Sequence, residues 1–266
     1  MTSTYVPDNA WVDERERLAS IEVAYDAATA RALTTLGISA GWRCLEVGAG
    51  GGTVAQWLAD RVGPTGLVVA TDIDVEYLEP LGSPNLSVLR HDVTAESLPG
   101  SGFDVAHARM LLAQLDDPAA VVATLCEAIR PGGWVVVEDL DWVSACSAEG
   151  SPLFERVAEA TRTALTEAGS DPAFGRRLPG LLAAAGLAEV NAIGAASMDA
   201  RAGRPAWLML LARIHSRLLR LGISEDDLVA FRAELADPHR FRISPLMVTA
   251  YGRRRADLPV PRPDAA

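Results

Sequence analysis

Lysine is missing from this chain: all 24 of its basic residues are arginine. Without a lysine amine, the protein cannot form a Schiff base with a carbonyl substrate or anchor pyridoxal phosphate. Positive charge is also scarce. Against 35 acidic residues the net charge is -11, the opposite of the clustered cationic surface through which nucleic-acid binders release counterions, so nucleic acid is not expected as a partner. Cysteine is rare. Cys44, Cys126 and Cys146 are an odd number, lack metal-ligand spacing and sit in or beside apolar runs, so they read as reduced thiols. The four histidines, His91, His107, His215 and His239, are scattered, and no metal is expected. Long apolar runs are absent too: no window approaches the roughly 20 residues that span a membrane, and MTSTYVPDNAWVDERER contains no stretch of signal-peptide length. The expectation is a cytoplasmic protein, monomer or homodimer, that acts on a small molecule and has no membrane partner.

Apolar spacing then organises the chain. Leu18, Ile21, Tyr25, Ala28, Leu33 and Leu36 recur at helical steps up to Gly37, predicting an amphipathic helix or helix pair. Trp42 to Val47 reads as a strand entering Gly48-Ala49-Gly50-Gly51-Gly52, followed by a helix with Val54, Trp57, Leu58 and Val62 on one face. The alternation continues through a strand at Leu67 to Ala70, a short helix around Tyr77 and Leu78, strands through Leu86 to Leu89 and Phe103 to Ala106, a helix from Pro118 to Ile129 and a strand from Trp134 to Val137. Strands separated by helices imply right-handed crossovers and a mostly parallel sheet, so the fold class is α/β. Helices dominate the second half, over Pro152 to Ala168, Arg177 to Ala185, Pro205 to Leu221 and Glu225 to Leu235, the last opened by a capping box of Ser224 and Asp227. Two further strands are expected at Val190 to Ile193 and Ile243 to Tyr251. The reading is one domain over 1–255, with a helical cap (1–40), a cofactor-binding half (41–142), a substrate and lid half (143–255) and a disordered tail (256–266). In the lid, Trp207, Leu211, Ile214 and Leu218 either line an apolar pocket or cover the sheet, and covering the sheet is preferred.

The chemistry begins at the glycine turn. Glycines are needed where the chain turns with positive φ or where a ligand approaches the backbone too closely for a β-carbon. About twenty residues on, Asp72 ends the second strand, where a carboxylate can accept bonds from both ribose hydroxyls. Asp92 follows the third strand and could receive an adenine amino group. Together they describe an adenosine bound across adjacent strand ends. A dinucleotide is the alternative, but the third fingerprint glycine would fall at Thr53. Glu46 also stands where a dinucleotide site carries an apolar residue, whereas a carboxylate suits a ligand bearing positive charge.

Five pieces in order, CLEVGAGGG (44–52), ATDID (70–74), RHDV (90–93), FDVAHAR (103–109) and RPGGW (130–134), resemble the cofactor half of class I S-adenosylmethionine-dependent methyltransferases of the UbiE-like kind. In layout the chain is similar to the actinobacterial type. The resemblance implies a Rossmann-like, seven-stranded, mostly parallel sheet with an antiparallel last strand, a helical amino-terminal cap and helical lid insertions. It implies S-adenosyl-L-methionine as cofactor, with Glu46, Gly48, Ala49, Gly50 and Gly52 at the methionine end, Asp72 and Ile73 at the ribose, Asp92 and Val93 at the adenine and Ala108 beside the cofactor. Arg109 is expected to hold a cofactor carboxylate or an acidic substrate group, or else to pair with the amino-terminal helix. For the chemistry, His107 is the first candidate for a base, expected just after the fourth strand. Asp141 is placed with it as catalytic, and Trp142 and Asp139 as substrate-facing. Alternation puts Asp139 and Asp141 on one side of the strand and Glu138 on the other. The expected reaction is methyl transfer to a small molecule of secondary metabolism. The alternatives are a non-methylating cyclisation or elimination on the same cofactor, and a non-catalytic nucleoside-binding protein.

Overall fold

The computed structural model describes residues 14–79, 81–199 and 204–256, apart from the side chains of Glu16 and Ala206. The first thirteen residues of the expected cap and residues 257–266 of the expected tail lie outside them. Among the described residues the elements are α1 (Glu14–Thr35), β1 (Arg43–Val47), α2 (Thr53–Val62), β2 (Leu67–Asp72), β3 (Leu86–Arg90), β4 (Phe103–Arg109), α3 (Pro118–Ala128) and β5 (Ile129–Asp141). They continue with β6 (Cys146–Ser147), α4 (Pro152–Glu167), α5 (Leu178–Ala184), β7 (Ala188–Ala195), β8 (Met198–Asp199), α6 (Arg204–Arg220), α7 (Glu225–Ala236), β9 (Arg242–Ile243) and β10 (Leu246–Arg253).

Seven strands form one sheet in the order β3-β2-β1-β4-β5-β10-β7. Pairing is parallel from β3 to β5, and β10 runs against both of its neighbours, as expected of the last strand. Both faces are covered, so β1 and β2 are buried along nearly their whole length. On one face Leu33 of α1 and Val54, Leu58 and Val62 of α2 pack on Cys44, Val68, Val105 and Val136. On the other, α3 and α5 bring Val122, Leu125, Leu178 and Leu182 onto Leu45, Val47, Ala106 and Val137. Gly133 lets β5 close on β4, since a β-carbon there would stand 2.9 Å from the Asp104 carbonyl oxygen.

Two expectations are corrected and one open alternative is resolved. The segment around Tyr77 and Leu78 is a single turn closed by Leu78 and Glu79 N–H on the Val75 carbonyl, because Pro80 cannot continue a helix there. Of the helix or helix pair expected at the amino terminus, the structure has the single helix α1. Trp207, Leu211, Ile214 and Leu218 do not cover the sheet. They pack with Phe154 and Val157 of α4 and with Leu228, Phe231 and Leu235 of α7 in a hydrophobic cluster of their own. Beside that cluster lies a small sheet, β6-β9-β8, that the spacing does not foretell because its strands are two residues long.

Candidate active site

The site lies at the carboxyl ends of the parallel strands. Gly48, Gly50 and Gly52 have φ of 71°, 54° and 85°, the left-handed region that side chains resist, so the turn needs glycine at these points. The turn is fastened to β2: the N–H groups of Gly48 and Ala49 donate to the Thr71 carbonyl, and Gly50 N–H donates to Asp72 Oδ2 at 2.8 Å. Asp72 Oδ1 accepts from Asp74 N–H at 3.1 Å, while Ile73 stands half exposed between them. Burial, only partly offset by these backbone donors, moves the Asp72 carboxyl above its ordinary range. Asp92 is held below its range by bonds from the Thr94 hydroxyl and N–H. Val93 packs against the core beneath it, and Ala108 is buried within β4.

The cap lies directly on the turn. A β-carbon on Gly51 would meet Glu22 Oε1 at 1.9 Å, and one on Gly50 would meet Leu18 at 3.1 Å. Arg15 and Glu22 of α1 are joined there by two hydrogen bonds, at 3.1 and 2.9 Å. Further along α1, Asp26 pairs with Arg109 at 2.9 Å, so Arg109 makes the ion pair with the amino-terminal helix.

His107 is in the interior of β4, not after it, because β4 runs on to Arg109 in register with Glu138. Its ring is fully buried, with Nδ1 2.6 Å from Glu46 Oε2 and Nε2 3.3 Å from Glu138 Oε2. Burial works against its charge, but the Glu46 charge and the bonds to both carboxylates outweigh it, and the pKa is pushed up to about 9. A ring engaged on both sides has no nitrogen to offer an acceptor, which corrects the expectation of a base. Glu138 is held below its range despite burial, by His107 and by the hydroxyls of Thr249 and Thr29.

Asp139, Asp141 and Trp142 are placed differently from one another. As alternation required, both aspartates turn away from the α1 face that Glu138 occupies. Asp139 accepts from the N–H groups of Ala113 and Leu140 and pins the turn after β4, with burial raising its pKa to about 6. Asp141 caps the 3-10 turn Trp142–Ser144 through Val143 N–H and is paired with Arg176, so it braces the end of β5 instead of facing a substrate. Trp142 alone reaches an apolar cluster of Tyr25, Leu140, Met247, Ile21 and Met110, and its other side meets Trp207 edge-on at 5.3 Å. Sequence reasoning missed Thr29 and Thr249. The signal was a polar residue inside the Tyr25-Thr29-Leu33 stripe of a helix and another inside a central strand.

Among curated proteins, methyltransferase str2 of Strobilurus tenacellus is 31% identical over 163 residues, 60% of this chain and 58% of that protein. The ubiquinone biosynthesis O-methyltransferase of Albidiferax ferrireducens is 35% identical over 109 residues, 38% of this chain and 42% of that one. The chain therefore spans about half the length of these curated relatives. The S-adenosylmethionine dependent methyltransferase of Mesorhizobium loti superposes at a TM-score of 0.53 and 19% identity, over 88% of this chain and all of that one, which shows a shared Rossmann-like fold. A methyltransferase-domain family matches residues 13–174, well over half of the chain, and the chain belongs to that family.

Proposed function

We propose that the protein transfers the methyl group of S-adenosyl-L-methionine to a small-molecule acceptor. The observation that carries this reading is Glu46: a buried carboxylate at the end of β1, beside a glycine turn, in a group where two carboxylates face one imidazole. With the ring protonated, one negative charge is left over. That excess suits a ligand bringing an ammonium and a sulfonium and disfavours the pyrophosphate of a dinucleotide. The rest of the site fits the same ligand. Asp72 keeps lone pairs for ribose hydroxyls after serving Gly50 and Asp74, Asp92 offers its carboxylate at the adenine side, and Val93 supplies an apolar surface beside it.

When bound, the cofactor supplies a methyl group already activated by a positive sulfur. The residues of the chain orient and enclose. Effective molarities of order 10⁵ to 10⁸ M are within reach of alignment alone, so a methyl transfer needs no obligatory base, in keeping with the engaged nitrogens of His107. We place the acceptor near Trp142, which directly follows β5 and packs against the apolar cluster of Tyr25, Leu140 and Met247. Calorimetric titration with S-adenosylmethionine, S-adenosylhomocysteine and NAD tests the reading. Binding of both sulfur nucleosides, lost in Asp72→Ala and absent for NAD, is expected; binding of NAD alone would overturn it. Incubation of the loaded protein with small-molecule extracts should then yield a product heavier by one CH₂, and a turned-over product of unchanged mass would instead favour cyclisation or elimination.

A further inference from the structure

Behind Glu46 stands a row of side chains with no assigned role. Glu46, His107, Glu138 and Thr249 come from four neighbouring strands, β1, β4, β5 and β10. Glu46 is the register partner of His107, and Thr249 that of Glu138. Glu138 Oε2 also accepts from Thr29 Oγ1 of α1 at 2.5 Å, and Thr29 Oγ1 accepts from Arg109 Nη1 at 3.1 Å. Thr29, Glu46, His107, Glu138 and Thr249 are all buried. The row thus runs unbroken from the end of β1 to the cap helix and on to the Arg109–Asp26 ion pair.

Both partners of the His107 ring are carboxylates, which accept and do not donate when ionised. A neutral imidazole has one donor and one acceptor nitrogen, so two ionised carboxylate partners require both nitrogens to carry protons. Apolar residues of similar volume would serve the sheet at least as well, since buried ion pairs seldom stabilise more than hydrophobic packing does. Where Thr29 and Asp26 end the row, they line a cavity of about 170 Å³ between α1 and α2, together with Thr53 and Trp57. Thr53 directly follows the glycine turn. The row therefore joins the acid at the turn, the helix over the turn and an opening between them.

We propose that this row is a positioning network for the amino-acid end of the cofactor, in which the His107 ring holds the Glu46 carboxylate in one direction while Glu138 and Thr29 fasten α1 above the turn. It rests on the cofactor reading given above. His107 and Thr29 act through Glu46 and through the helix, so they are positioning residues and not catalytic ones. The pKa of His107 agrees with the protonated ring that the geometry requires.

The test compares S-adenosylmethionine and the thioether S-adenosylhomocysteine with 5′-methylthioadenosine, a thioether that keeps the nucleoside and the sulfur but lacks the amino-acid end, by calorimetry on wild type, His107→Gln and Thr29→Val. The expected result is about ten-fold weaker binding of S-adenosylmethionine and S-adenosylhomocysteine in each variant, the loss of one hydrogen bond to a charged group, with methylthioadenosine affinity nearly unchanged. Equal losses for all three ligands, or unchanged binding of S-adenosylmethionine or S-adenosylhomocysteine, would overturn the proposal. Thr29→Val is nearly isosteric and leaves the His107–Glu46 contact in place, so it decides the question alone if His107→Gln does not fold. Wild-type protein that binds none of these ligands would overturn the cofactor reading itself, a failure distinct from the loss of selectivity.

Discussion

His107 carries its charge because two acids close on it from either side, and that charge makes folding depend on pH. The groups facing it are Glu46 on β1 and Glu138 on β5, with Arg109 and Asp26 one hydrogen-bonded link further on, beyond Thr29. Its pKa rises from 6.5 to about 9 on folding, so the folded state binds the proton more tightly than the unfolded chain does. The stabilisation is complete below about pH 6.5 and disappears as pH climbs through 9, a change on the order of 3 kcal/mol. We expect the unfolding midpoint of the wild type to fall by about 5–10 °C between those limits. In His107→Gln it should lie lower and stay flat across the same window. A wild-type midpoint that does not move between pH 6.5 and 9 would show that the ring is neutral when folded. None of this was legible residue by residue. Glu46 drew attention by its place beside the glycines, but its partner lies 61 residues away and the next acid a further 31, and only strand register brings the three together.

Elements announced themselves where the cause is local. Ser224 and Asp227 form both halves of a capping box, so the start of α7 could be read from four residues. Replacing Ser224 with alanine should cost about 1 kcal/mol in a denaturant titration, with an unchanged slope. The glycine turn was equally plain, because positive φ at Gly48, Gly50 and Gly52 is a property of single residues. What was hidden is the partner each apolar stripe chooses. The periodicity of α6 shows that Trp207, Leu211, Ile214 and Leu218 are buried, yet it cannot distinguish the sheet from α4 and α7. In the fold Trp207 meets Phe154, Phe231 and Trp142, each with ring centroids 5.3 to 5.5 Å apart. The same limit explains the misplacement of Asp139 and Asp141. Alternation assigned their side of β5 correctly, but the groups waiting there, Ala113 N–H and Arg176, come from turns with no spacing signal.

Across the whole molecule, the packing divides between the sheet and a helical cluster with an apolar interior of its own. The seven-stranded sheet is filled from both faces, and its central strands are bonded on each side. The cluster of α4, α6 and α7 meets the rest through Trp142, through the side of α6 against α1, and through Arg242 of β9, which donates to the Leu235 and Glu234 carbonyls at the end of α7. A separate apolar interior means that this part can open without breaking the sheet. Hydrogen exchange should therefore show amides of α4, α6 and α7 exchanging together, at a lower opening free energy than those of β1, β4 and β5. Trp207→Ala sharpens the expectation. Removing a fully buried tryptophan costs about 3–5 kcal/mol, and that cost should fall on the helical cluster, speeding exchange there while the sheet keeps its protection. If both regions accelerate equally, the two cores unfold as one unit and the Trp142 contact binds them more tightly than its geometry suggests. If only the cluster loosens, the apolar surface at Trp142 that we propose for the acceptor borders a region able to move without disturbing Glu46, His107 and Glu138.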